Sequence, residues 1–461
     1  MTSANSSYPD QRYAWIVVII LSVAGIVSYV DRTVINLLVG PIRADLGISD
    51  TQFSLLQGFA FSLFYALLAI PLARLSDAGN RKWVIIGGVV CWSLATFASG
   101  LVATFTALFA ARMLIGVGEA TLTPGGYSLI SDYFPKEKLS AAISVFTASS
   151  FLGSGVALIA GGALISYLME IGPQTLPVLG TLKPWQMTFI LISLPSVLVL
   201  VLMMFVREPA RQASLEDVAQ NGSDMAKSAS VGEVMAFVSS KARVIFAIYF
   251  GLTLLAAALY AVNGWVPEFL IRTYAWTPKD VGLYFGPMVI VCCFGGMTAG
   301  GWVCNVMIAR GISDANLRLP ILSALCLTPF AIAFGLMPTA TLSLICLAPT
   351  LFFGALPFGV GTAALPLIAP NRMRAQMVAG YLFIANLLSY GLGPIAVTSF
   401  SDYVLGGENT LGLAFAIILP VLILASVAIL ASGLSPYRAM VARSGDHSDT
   451  VMDGAAEPSA A

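Results

Sequence analysis

The chain has 461 residues, with 23 Lys and Arg against 23 Asp and Glu, so its formal net charge is zero. Hydrophobic residues make up 58% and charged residues only 10%, against about 25% charged in a typical soluble domain. Such a chain lacks a polar shell to set against water, so lipid is the expected solvent. No run of Lys and Arg is dense enough to track a phosphate backbone, which excludes nucleic acid as a partner. The six cysteines (Cys91, Cys292, Cys293, Cys304, Cys326 and Cys346) lie in apolar runs without Cys-x-x-Cys spacing, and the one histidine, His447, lies near the C-terminus. Neither a metal site nor a cofactor nor a His-based proton relay is expected from that pattern.

A membrane-crossing helix needs about 20 largely apolar residues. Runs of that kind lie near 13–39, 53–75, 83–104, 106–130, 140–168 and 185–206, and again near 243–267, 281–304, 319–338, 341–364, 375–400 and 410–433. The first run is too long for a cleavable signal and is interrupted by Asp31-Arg32. Six runs plus six predict an all-α membrane protein of twelve transmembrane helices in two six-helix bundles. The expected domains are 1–206 and 242–435, a linker over 207–241 and a disordered tail over 436–461. Within the linker, residues 231–240 read as a short amphipathic helix. Gly153, Gly155, Gly161 and Gly162 in the fifth run predict close helix packing, since small residues let helices approach in lipid.

Basic residues set an orientation. With the N-terminus in the cytoplasm, Lys and Arg crowd the inner loops and only Arg43, Lys183, Arg272 and Lys279 fall outside. The bias predicts both termini in the cytoplasm and residence in the cell (inner) membrane.

The loop after the second run reads Ala73-Arg-Leu-Ser-Asp-Ala-Gly-Asn-Arg-Lys82. It resembles the signature of the major facilitator superfamily, G-x-L-a-D-r-x-G-r-k, through Leu75, Asp77, Arg81 and Lys82. The stretch from Gly301 to Asn305 is similar to a weakened second copy, with Asn305 where an acid is expected. The fourth run carries Arg112-Met-Leu-Ile-Gly-Val-Gly-Glu-Ala120, which resembles the superfamily's R-x-x-x-G-x-G motif. Its G-x-G-E-A ending, with Tyr29-Val-Asp-Arg32 and Trp265-Val-Pro267, resembles the Spinster branch, which is associated with lysolipid and sphingosine-phosphate transport. The chain departs from that branch after Glu119, where it reads Thr121-Leu-Thr-Pro-Gly-Gly-Tyr-Ser128. The resemblance implies two bundles rocking around a central path, and a cytoplasmic gate at Asp77, Arg81 and Lys82 that latches the bundles, with Asp132 as partner.

Asp31, Arg32, Arg112 and Glu119 are the charges set well inside spans. Each costs roughly 2.5–3.5 kcal/mol at a helix centre, so each must pair or face water. Arg112 and Glu119 are seven apart and share a helix face; Ser28, Arg32 and Asn36 form a polar stripe, with Asp31 one position round from it. Glu268, near the end of the seventh span, is expected to be hydrated. Two readings stand. In one, the charges are an ion-pair network holding the first helix to the fourth. In the other, Arg32 grips an anionic head group, Glu119 or Asp31 carries a proton, and Arg112 completes the charge network. Asp31 is expected to stay ionised beside Arg32. The second half offers Tyr260, Asn263, Trp265, Phe358, Tyr381, Asn386 and Tyr390, of which Asn386 and Tyr390 share a face. With Arg32, Asn36 and Tyr127, the residues Asn263, Trp265, Tyr381, Asn386 and Tyr390 form the expected substrate set. A charged half opposite an aromatic half suits an amphipathic anionic lipid or lysolipid, carried with protons by a monomer among membrane lipids. A small organic anion is the alternative substrate. No nucleophile arrangement suggests an enzyme.

Overall fold

The structure, a computed structural model, describes residues 8–209, 230–358, 360–361, 363–370, 373–407 and 409–453. At Ile70, Ala73, Asp77, Ala78, Lys136, Val231, Ala375 and 442–453 it describes the backbone alone. The described residues are helical almost throughout. The twelve spans are α1 (Gln11–Leu37), α2 (50–78), α3 (Arg81–Ser99), α4 (Phe105–Tyr133), α5 (Lys136–Ile171), α6 (Pro184–Phe205), α7 (Ala242–Tyr274), α8 (Pro278–Ala309), α9 (Ala315–Leu336), α10 (Ala340–Ala355), α11 (Gln376–Leu405) and α12 (Leu411–Asp453). Eleven are long and apolar enough to cross a membrane. The exception is α10, whose 16 residues reach about 24 Å at 1.5 Å per residue. It gives way near Pro357 to turns and then a short helix, Ala364–Ile368.

Polar caps mark where apolar runs begin. Asn80 caps α3 by accepting from the Trp83 N–H, and Thr104 caps α4 by accepting from the Ala107 N–H, since short polar side chains satisfy the orphan donors of a first turn. A two-stranded antiparallel hairpin, β1 (Gln174–Leu176) and β2 (Gly180–Leu182), joins α5 to α6. The short helix expected near 231–240 is present at Val231–Ser240, with a Ser230/Glu233 capping box. The rest of the expected linker, 210–229, lies outside the described residues.

The tail needs correction. Helix α12 runs on to Asp453, where disorder is expected from 436. Tyr437 is fully buried and Arg438 donates to Asp314 at 3.1 and 2.6 Å, so the first turns beyond 436 are anchored by packing and an ion pair. Residues 454–461 lie outside the described residues.

Compactness also divides the chain differently from its sequence halves. One unit takes the residues up to 209 with Tyr260–Val291 and Tyr390–Ala414. The other takes 230–259, Cys292–Ser389 and 415–453. Helix α5 shows how the first unit gathers its members. A Cβ on Gly153 or Gly161 would strike α1, and one on Gly155 or Gly162 would strike α8 near Gly286 and Pro278. The glycines are packing faces on both sides of one helix, which is the close-packing role expected of them. The second unit has its own core around Tyr249, Leu252, Leu317, Tyr381 and Tyr437.

Candidate functional site

Four charged side chains are buried in the middle of the first unit: Asp31 and Arg32 on α1, Arg112 and Glu119 on α4. Relative exposure is 8% for Arg32, 1% for Glu119 and zero for Asp31 and Arg112. The glycines of the R-x-x-x-G-x-G motif bring them together. A Cβ on Gly116 would lie 2.4 Å from the Phe61 carbonyl of α2, and one on Gly118 would lie 2.6 Å from the Gly88 carbonyl of α3. Only glycine lets α4 lie this close to both neighbours at once.

Arg32 reaches across to Glu119. Its Nε donates to Glu119 Oε2 at 3.2 Å, and Nη2 donates to the same oxygen. The other carboxylate oxygen, Oε1, has no hydrogen-bond partner among the described residues. Four rings surround the guanidinium: Phe61 at 4.2 Å, Tyr29 at 4.6 Å, Tyr65 at 5.3 Å and Tyr390 at 5.6 Å to the centroids. Such rings attract a cation through their quadrupoles. Tyr260 packs in turn on Tyr390, with centroids 4.2 Å apart.

Arg112 is engaged differently. Its Nε donates to the Leu56 carbonyl at 3.4 Å, Nη1 to the Asp31 carbonyl at 3.2 Å and Nη2 to the Arg32 carbonyl at 3.4 Å. It fastens the backbones of α1 and α2 to α4. Asp31, expected beside Arg32, turns away from it, because successive helical residues point about 100° apart. Among the described residues its side chain interacts with Glu119, Arg112 and Thr96.

The remaining expected substrate residues divide. Asn36 does not reach the Arg32 site. Its Nδ2 donates to the Asn263 carbonyl at 3.2 Å, and its Oδ1 accepts from Gln57. Trp265 is fully buried, with its indole N–H donating to Ser54 Oγ at 2.9 Å and its ring edge-on to Phe53; it builds a helix contact in this conformation instead of lining open space. Tyr127 is 37% exposed, and its hydroxyl lies 3.2 Å from Thr147 Oγ1. Tyr381 and Asn386 belong to the other unit, where Tyr381 is buried against Tyr249 and Asn386 donates to the Leu382 carbonyl. Phe61, Tyr65, Gln57 and Tyr29, absent from the expected set, are at the heart of the first unit's polar cluster or beside it.

The two ends of these spans carry further networks. At one end, Arg81 pairs with Asp132 and with Glu208 (2.7 Å), and the Lys82 ammonium donates to the Met204 carbonyl at 2.8 Å. These contacts tie α3, α4 and the end of α6 within the first unit; the Asp77 side chain lies outside the described residues. At the other end, Arg272 forks onto Asp50 at 2.6 and 2.8 Å and donates to Glu268 at 2.6 Å, and Arg43 adds a bond to Asp50 at 2.9 Å. Glu268, expected to be hydrated, is 2% exposed because Arg272 one turn along supplies its counter-charge. The second unit has Asp314, which accepts from Arg318 and Arg438. Burial pushes its carboxyl upward, but those two arginines outweigh it and hold the carboxyl below its ordinary value.

Comparison with known proteins fits this arrangement. The family model for the Major Facilitator Superfamily matches residues 21–397. The chain belongs to that superfamily. It is 26% identical to an MFS-type efflux pump of Mycolicibacterium smegmatis over 85% of each chain. It is 26% identical to protein spinster homolog 1 of Xenopus tropicalis, over 86% of this chain and 74% of that one. It is 23% identical to a probable galactarate/D-glucarate transporter of Bacillus subtilis, over 75% of this chain and 77% of that one. A solved bacterial homolog of the human lysosomal transporter Spinster, described as inward-facing and unoccupied, superposes with a TM-score of 0.72 at 25% identity, covering 95% of this chain and 98% of that one. This is a Spinster-like transporter fold with twelve helices in two six-helix halves.

Proposed function

We propose that this transporter moves an amphipathic anionic lipid or lysolipid by alternating access, coupled to protons. The proposal carries the orientation read from the loops: both termini in the cytoplasm of a cell (inner) membrane, so that the Arg81 end faces inward and the Asp50 end outward. The working unit is a monomer. One observation carries the reading: a buried arginine in an aromatic box holds a buried carboxylate by one oxygen. A substrate anion and the Glu119 carboxylate compete for the same guanidinium. A proton on Glu119 weakens its hold on Arg32 and opens the arginine to a phosphate or carboxylate. Asp31, fully buried, is the second candidate proton carrier. Asp77, Arg81, Lys82 and Asp132 act as the cytoplasmic gate, with Arg112 holding the charge network together. Asn36, Tyr127, Asn263, Trp265, Tyr381, Asn386 and Tyr390 remain in the proposed substrate path, which other conformations of the cycle expose.

A second reading keeps the same site and replaces the lipid by a small organic anion. The sugar-acid transporters among the relatives favour it, and a sugar acid offers Arg32 the same carboxylate. Uptake of a labelled lysolipid and of a labelled aldaric acid into proteoliposomes separates the two. Arg32→Lys retains part of the uptake, because ammonium lacks the planar fork. Arg32→Ala with Glu119→Gln, which leaves no unpaired carboxylate, abolishes it. Near-normal uptake by the folded double variant would overturn the site assignment for either substrate.

A further inference from the structure

Helix α7 contains Pro267. Proline has no N–H, so the carbonyl four residues back, that of Asn263, loses its helical donor. In this structure the missing donor comes from another helix. Asn36 Nδ2 on α1 donates to the Asn263 carbonyl at 3.2 Å, and Gln57 Nε2 on α2 donates to the next carbonyl, Gly264, at 2.9 Å. Gln57 Nε2 also donates to Asn36 Oδ1 at 2.7 Å, which joins the two amides. The orientation of both is forced by chemistry: a backbone carbonyl only accepts, so each amide must turn its NH2 group toward α7.

The surroundings single out this level of the spans. Asn36 is 7% exposed and Gln57 4%. Two of the three helices leave regular α geometry here, while α7 stays α-helical through its proline. Residues Val34–Leu37 of α1 form a 3-10 turn, Leu55–Phe59 of α2 form a π turn, and α7 has its proline. A mid-helix π segment such as that of α2 often marks a functional site, whereas the 3-10 last turn of α1 is a common helix ending. A Cβ on Gly264 would lie 3.2 Å from both Gln57 amide atoms, so α2 rests directly on the joint. Above the clasp come the Trp265–Ser54–Thr398 chain, at 2.9 Å for each link, and then the Arg272–Asp50 pair.

We infer that Asn36 and Gln57 clasp the proline joint of α7, that the clasp holds this end of the spans shut, and that it opens and closes in each transport cycle. Gln57 is thereby a positioning residue for transport, acting through α7. The physical basis is a difference between dry and wet states. With the joint closed and dry, the Asn263 carbonyl lacks the N–H that Pro267 cannot supply and accepts from Asn36 across the helix contact. With the joint open, water supplies the donor at little cost. The clasp therefore favours the closed arrangement alone, whereas a merely structural bond would favour both.

The inference rests on the alternating-access reading, and the test separates the two. A single cysteine is introduced by Leu38→Cys, at a position 1% exposed just beyond the clasp, in a chain whose six native cysteines are replaced. The membrane-impermeant thiol reagent is applied without substrate to either face of the vesicles. Loss of buried hydrogen bonds that include a backbone acceptor predicts roughly tenfold faster labelling in Gln57→Ala, from the face bearing Asp50. Pro267→Ala restores the helical donor, so Asn36→Ala accelerates labelling less in that background than in the wild type. Labelling from the proposed outer face at an unchanged rate in a Gln57→Ala protein of normal melting profile would overturn the clasp and leave alternating access standing. Complete protection of the cysteine from both faces during active lysolipid or aldarate transport would overturn both. If Gln57→Ala does not fold, the Asn36/Pro267 cycle decides: additive effects refute the clasp, and compensation supports it.

Discussion

Replacing Glu119 by Gln tests the competition at the heart of the proposed site. Gln keeps the shape and an acceptor oxygen for Arg32 but carries no charge and takes no proton. Arg32 stays ionised in the variant, so its bond to Gln is still charge-assisted; what is lost is the attraction between opposite charges, for which about 1.4 kcal/mol is a conservative figure in a buried site. An anionic substrate is therefore expected to bind Glu119→Gln about tenfold more tightly at neutral pH. The figure is a lower bound. Arg32 is 8% exposed, and its charge loses its counter-ion in the variant, a penalty that a bound anion relieves. The substrate-free variant accordingly melts earlier than wild type and gains more from ligand. Equilibrium binding across a pH series and uptake with and without an imposed pH gradient measure both sides. On the proposed reading the variant binds more tightly than wild type, and its uptake no longer follows the gradient. Equal gradient responses in the two proteins, or weaker binding by the folded variant, would refute the reasoning.

Arg112→Met removes three donors from the carbonyls of Asp31, Arg32 and Leu56 and leaves the cluster with an excess carboxylate; it should destabilise by about 3–5 kcal/mol. Adding Asp31→Asn restores charge balance and should recover part of the melting temperature, and no recovery would show that lost packing alone is responsible. At Asp314 the carboxyl is held below its ordinary value by two arginines that prevail over its burial. Its contribution is therefore complete above the unfolded-state value and lost as pH falls through the lower folded one. Asp314→Asn should cost about 1–2 kcal/mol at neutral pH and should flatten the acid limb of a melting-temperature profile relative to wild type.

The spans were legible because apolar length is a local property, and so was the motif around Arg112, whose glycines turn out to be contact points with α2 and α3. Partner choice was less legible. Arg32 and Glu119 both stand out as charges in apolar runs, but nothing local says that Arg32 chooses Glu119 over its neighbour Asp31. Helix packing decides it. Gln57 is not marked by the sequence, since one amide in an apolar run carries no periodic signal. Phe61 and Tyr65 were hidden among many aromatics whose usual role is core. Asp50, Arg43 and Arg272 read as boundary charges. Their mutual pairing, and the burial of Glu268 with them, depends on which ends of α2 and α7 meet. Pro267 was visible in the sequence, but its significance lies in the two amides that answer it from α1 and α2.

The two buried arginines separate the structural reading of the charge cluster from the functional one. Arg112 gives Nε, Nη1 and Nη2 each to a backbone carbonyl. Those carbonyls belong to the framework, take no proton at physiological pH and cannot be exchanged for a ligand without loosening α1 and α2. That arginine is the ion-pair network's structural member. Arg32 gives two nitrogens to one oxygen of a side chain that can be protonated, and rests its faces on rings that stabilise the cation whichever anion it holds. Releasing Glu119 breaks no backbone bond. On the proposed reading the box holds Arg32 in place while its partner changes, which gives an anion carrier a fixed cation with an exchangeable counter-ion. The cost of burying the cluster is thus divided, with Arg112 securing the helices and Arg32 left available for the substrate on the proposed reading.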